Sequence, residues 1–205
     1  LCLKTQKGLI ELLGGDEAFN EKLDELFSMS SELGDEASMD ITGLIGQYAH
    51  GNEPSHHTTY MYAYSGEHYK IADKVRYINN ELYTDEPNGL SGNEDCGQMS
   101  AWYILSSMGF YPVNPSNGAY VFGSPLFNEV SLNIPGQNKF KISAKNNSDK
   151  NIYIQSVSLN GEDYKYSYIT HKQILEGGKL EFVMGPNPNK NFGTEKKYRP
   201  KSIVY

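Results

Sequence analysis

The chain has 205 residues, 38% hydrophobic and 21% charged, a globular composition with length for one large domain or two small ones. Its net charge of −7, without any Lys/Arg cluster, argues against a nucleic-acid groove. No apolar run approaches the ~20 residues that span a bilayer, and two cysteines, Cys2 and Cys96, define no disulfide framework.

Helical spacing comes first. Leu9, Leu12 and Leu13 form one apolar stripe and Phe19, Leu23, Leu26 and Phe27 the next, with Gly14-Gly15-Asp16 as stop and new start between them. A weaker helical pattern covers residues 36–50. Residues 54–64 and 68–82 read as a helix pair broken at Ser65-Gly66, and 98–108 as a further helix closed by Gly109 and Pro112.

Beyond residue 115 the pattern shortens and alternates. Residues 119–122, 128–134, 139–144, 152–159 and 179–184 predict strands, punctuated by Pro135-Gly136, Asn146-Asn147, Asn160-Gly161 and Gly177-Gly178. Asn160-Gly161 is a type I′ hairpin candidate. Residues 186–200, rich in Asn, Pro and Lys, predict an irregular tail. Helices first and strands afterwards imply an α+β chain, helical over 1–115 and a small antiparallel, sandwich-like β part over 116–205.

One tripeptide occurs twice. Gly51-Asn52-Glu53 returns as Gly92-Asn93-Glu94, and each copy leads into an aromatic-rich helical segment that ends in glycine. A period of ~40 residues suits one helix pair of a helical array, with both acidic tripeptides at helix N-termini on one face.

In Gly51-Asn52-Glu53-Pro54-Ser55-His56-His57, Pro54 fits the first helical position, so Asn52 and Glu53 project at the cap. Their oxygens are hard ligands suited to calcium. Adjacent helical histidines point roughly 100° apart, so His56 and His57 cannot share one small ion. A capped helix with two histidines in ordinary hydrogen bonds explains the same residues.

In Gly92-Asn93-Glu94-Asp95-Cys96-Gly97-Gln98-Met99-Ser100-Ala101-Trp102-Tyr103, two successive carboxylates complement a helix dipole. The functional alternative is a carboxylate held to take a proton from water. Cys96 reads as a buried structural thiol rather than a nucleophile. Trp102 is either core or a sugar platform.

These two runs, with Gly109-Phe110-Tyr111-Pro112-Val113, Gly123-Ser124-Pro125-Leu126-Phe127 and the opening Gly8-Leu9-Ile10-Glu11-Leu12-Leu13-Gly14-Gly15, resemble glycoside hydrolase family 92 in order and spacing. The resemblance covers nearly the whole chain. It implies a calcium-dependent, inverting exo-α-mannosidase, acting on terminal α-linked (commonly α-1,2) mannose, whose (α/α)₆ barrel this helical part would complete. By that resemblance Asp95 is the general base, with Asn93 beside it where relatives carry an aspartate. Asn52 and Glu53 belong to the Ca²⁺ and sugar surface, and Glu94, His56, His57, Gln98 and Trp102 to substrate binding.

The resemblance also places the general acid upstream of Gly8, outside this chain, so the expected partners are a mannose-containing glycan and an N-terminal portion of the same polypeptide. Without that portion, Leu9, Leu12, Leu13, Phe19 and Leu23 are expected to show apolar surface. Family members are expected outside the cytoplasm, secreted, periplasmic or at the cell surface. The alternative is a non-catalytic mannoside-binding or structural carbohydrate-associated module.

Overall fold

The computed structural model describes residues 6–32, 41–136 and 139–202. Helices α1 (Gln6–Leu12) and α2 (Asp16–Ser28) open it. Ile10, Phe19 and Leu23 turn inward to meet Tyr48, Tyr62 and Tyr64. The apolar edge expected of the first two stripes is therefore only partly present: Phe19 and Leu23 are buried within the described residues, whereas Leu12 is 82% exposed.

The pattern over 36–50 gives no helix where it is described; residues 36–40 lie outside the described residues. Strands β1 (Leu44–Ile45) and β2 (Tyr48–Ala49) pair as a tight hairpin. A Cβ at Gly46 would lie 2.5 Å from the Leu26 carbonyl oxygen, so this turn sits directly on the end of α2.

Residues 54–64 are not one helix either. Two 3₁₀ turns, Glu53–Ser55 and Thr58–Tyr60, precede the short α3 (Tyr62–Ser65). The break read at Ser65-Gly66 is present, with Gly66 as a left-handed C-cap. Helices α4 (Lys70–Glu81) and α5 (Gln98–Met108) follow.

Strands β3 (Phe110–Asn114) and β4 (Ala119–Phe122) form a three-stranded sheet with β9 (Tyr168–Thr170). A five-stranded sheet runs β5 (Glu129–Leu132), β6 (Phe140–Lys145), β10 (Gly178–Gly185), β7 (Tyr153–Leu159), β8 (Glu162–Asp163). Its ladders are antiparallel except β6–β10, which is parallel because the chain crosses over between them through β7, β8, β9 and α6 (His171–Leu175). Asn160 and Gly161, both at positive φ, make the two-residue turn between β7 and β8.

The small sheet is the middle layer. Its period of two sends Tyr111, Val113 and Val121 into the helical core and Phe110, Tyr120 and Phe122 into the core of the larger sheet. The change of sequence character at residue 115 falls between β3 and β4, which pair with each other, so both segments share this sheet. Buried polar bonds reinforce it. Arg76 of α4 donates to Ser124, Pro125 and Asn147, and His68 Nε2 donates to the Phe122 carbonyl at 2.9 Å.

The tail after β10 is irregular apart from a 3₁₀ turn, Lys196–Tyr198, yet it is tied down. Arg199 pairs with Asp16 at 2.7 Å, and Ser202 Oγ donates to Gln6 Oε1 at 3.1 Å.

Candidate active site

The two Gly-Asn-Glu tripeptides lie side by side. A Cβ on Gly92 would stand 2.6 Å from the Gly51 carbonyl oxygen and 2.7 Å from the Gly51 Cα, so the backbones themselves touch. A Cβ on Gly51 would meet the Ser91 carbonyl oxygen at 2.5 Å. Thr42 Oγ1 donates to that same Ser91 carbonyl and secures the crossing.

A cavity of about 490 Å³ opens beside them. Glu53, His56 and His57 of the first motif line it together with Asp95 and Gln98 of the second. Tyr111, Pro112 and Val113 of β3 and the following Pro115 complete the lining.

Asp95 is exposed and stands just ahead of α5, and Cys96 beside it is exposed too, in the turn rather than in the core, which corrects the buried role expected of it. The φ of Asp95 is 37°, that of Cys96 is 60° and that of the N-cap Gly97 is 89°. Two successive non-glycine residues in the left-handed region cost about 1–3 kcal/mol each, a strain that clusters at functional positions. The turn is held from inside by Glu94, whose carboxylate accepts from Ser100 N at 3.2 Å and Ser100 Oγ at 3.0 Å. Glu94 thus caps α5, leaving Asp95 to project.

Behind the cavity runs a neutral histidine network. The Tyr83 hydroxyl donates to the Met99 carbonyl at 3.1 Å, so it accepts from His50 Nε2 at 2.7 Å. His50 Nδ1 then accepts from the Tyr48 hydroxyl at 2.8 Å. Next, His56 Nε2 donates to the His50 carbonyl at 2.9 Å, and His56 Nδ1 accepts from Gln98 Nε2 at 3.1 Å. Burial, with the neighbouring His56 adding to it, lowers His50 to about 3; burial lowers His56 to about 4. His56 therefore spends both ring nitrogens on protein. His57 is half-buried, and burial lowers it as well.

Trp102 is fully buried, donates Nε1 to the His56 carbonyl at 3.1 Å, and packs on His50, Tyr60 and Tyr83. Its ring is enclosed by the core, so the sugar-platform role is corrected to a core role. Asn52 and Asn93 are exposed and do not line the cavity. Glu53 is half-buried, with Oε1 enclosed and without a hydrogen-bond partner. No motif in the sequence assigns a role to His50 or Tyr111. The Gly109-to-Val113 run was a signal, but Pro112 concealed that it is a strand.

Residues 3–186 match the profile of the glycosyl hydrolase family 92 catalytic domain. The chain belongs to glycosyl hydrolase family 92. A family 92 α-mannosidase of Bacteroides thetaiotaomicron is 41% identical, with a TM-score of 0.90 over 99% of this chain and 27% of its own. Its complex with mannoimidazole aligns with a TM-score of 0.91. A family 92 inverting mannosidase of the same bacterium is 36% identical, with a TM-score of 0.85 over 98% of this chain and 28% of its own. An uncharacterized secreted glycosidase of Arthroderma benhamiae is 32% identical over 95% of this chain and 23% of its own length. The chain thus spans about a quarter of the length of these relatives. No helix among the described residues is long and apolar enough to cross a membrane.

Proposed function

We propose that these residues form one wall of the active site of an inverting exo-α-mannosidase, with Asp95 as the general base. The observation that carries this reading is the meeting of Glu53 and Asp95, from two separate motifs, on one cavity. Asp95 takes a proton from water, whose oxygen attacks the anomeric carbon from the face opposite the leaving group. The departing oxygen needs a proton from a second carboxylic acid, which we place outside residues 1–205. Relatives about four times as long support that placement.

Calcium fits part of this wall. Glu53 Oε1, enclosed and unpartnered, is the hard oxygen such an ion takes. No group of three or more His, Cys, Asp or Glu able to hold a metal occurs among the described residues, so further ligands come from carbonyls or from elsewhere in the polypeptide. When bound there, calcium would engage neighbouring sugar hydroxyls and favour the distorted ring of the transition state. Asn52 and Asn93, both exposed, would then sit at the margin of the site.

The fungal relative described as secreted supports an extracytoplasmic location. The test is proton NMR of the reaction catalysed by the natural polypeptide that carries these residues. β-Mannose should form first, activity should stop with a chelator, and calcium should restore it. α-Mannose as first product would exclude inversion.

A further inference from the structure

The histidine network fixes a proton that takes no part in the attack of water on the anomeric carbon. The His50 carbonyl accepts from His56 Nε2 at 2.9 Å, so in the neutral ring Nδ1 carries only a lone pair. Gln98 must therefore present its NH₂, not its oxygen, to His56 Nδ1 at 3.1 Å. The second hydrogen of that NH₂ goes to the Tyr111 hydroxyl oxygen at 3.1 Å. Tyr111 is thereby an acceptor on the protein side, and its own proton is given to no described residue. Burial raises the phenol above its ordinary range, so the proton stays on. Tyr111 lines the same cavity as Glu53, His57 and Asp95.

We propose that the Tyr111 hydroxyl donates a hydrogen bond to an oxygen of the sugar bound in this cavity, and that Gln98 is the positioning residue that keeps that donor free. The inference rests on the glycosidase reading and names a sugar-binding residue for it. A hydrogen bond to a sugar oxygen on which no charge develops is made equally in ground state and transition state, so its removal should act on KM rather than kcat.

The test uses the natural polypeptide, an aryl α-mannoside for kinetics and methyl α-mannoside for calorimetry. Tyr111→Phe, which keeps the ring stacked on Tyr60, should raise KM and Kd roughly five- to tenfold with kcat within about twofold. Gln98→Glu offers no N–H and accepts the Tyr111 proton instead, so it should weaken binding similarly. The double variant should be no weaker than the worse single one, because both remove one contact. Unchanged Kd in Tyr111→Phe, or additive losses in the double variant, would overturn the proposal. A purely structural Tyr111 would instead lower the melting temperature and kcat while the folded protein kept its Kd. An unsubstituted protein that neither cleaves nor binds mannosides would sink the glycosidase reading itself; active unsubstituted protein with indifferent Tyr111→Phe sinks only this inference.

Discussion

Gly51 and Gly92 touch backbone to backbone, and this contact holds Glu53 and Asp95 on one cavity. The requirement at Gly92 is steric: the atoms 2.6 and 2.7 Å from an added Cβ are main-chain atoms of Gly51, which cannot swing aside like a side chain. Gly92→Ala is therefore expected to push the two loops apart. Misplacement of ~1 Å at a catalytic centre costs on the order of 100-fold, and overpacking costs about 1–3 kcal/mol. Kinetics and thermal melting of the natural polypeptide measure both. Activity within threefold of the unsubstituted protein would show that the contact does not set the site.

Trp102 is the single tryptophan of the chain and lies at the centre of the aromatic core. Trp102→Ala should cost about 3–5 kcal/mol. Trp102→Phe should cost less but still lose the bond to the His56 carbonyl. The measurement is denaturant unfolding together with KM for an aryl mannoside. A stable Trp102→Phe with a raised KM would return the ring to the sugar surface.

Three buried histidines couple stability to pH. Burial lowers His50 to about 3 and His56 and His68 to about 4, against about 6.5 in the unfolded chain. The folded state thus binds fewer protons than the unfolded state between those values, so stability rises with pH across that window. It is fully present above about pH 6.5 and falls on acidification to pH 4, each histidine contributing up to about 1.4 kcal/mol per pH unit. Urea unfolding at several pH values reads the slope. A flat profile between pH 6 and 4.5 would mean that these rings are protonated in the folded protein.

Glu53 is expected to bind the metal through its enclosed Oε1. Glu53→Gln keeps the shape but removes the charge, so the calcium needed for half-maximal activity should rise at least about tenfold, since affinity follows ligand charge. Calcium titration of the chelator-treated protein measures it. An unshifted midpoint would place the ion elsewhere.

The sequence patterns carried the β part well because a sheet with one face on the core and the other towards solvent enforces alternation: Phe140, Ile142 and Ala144 are buried while Lys141 is exposed. They failed where local chemistry competes. Pro112 concealed β3, which tolerates proline because it is an edge strand. The Thr170–Gln173 capping box starts α6 within a stretch too short to show helical periodicity. Residues 54–64 are apolar enough for a helix but break into 3₁₀ turns around His56 and His57. In the site, Asp95 was legible from its motif and Glu53 from the repeat. The network was not, because His56 finds Gln98 and Gln98 finds Tyr111 only once three elements have packed.

The most direct test of Asp95 as the base is Asp95→Ala in the natural polypeptide, assayed on an activated aryl α-mannoside with and without azide. The expected result is a loss of kcat of about 10²–10⁴-fold, with Kd for methyl α-mannoside changed less than threefold. Azide, an anion that needs no base, should restore turnover and give β-mannosyl azide. Asp95→Ala that keeps its full rate, or whose lost activity is matched by lost binding and not rescued by azide, would contradict the role assigned to Asp95.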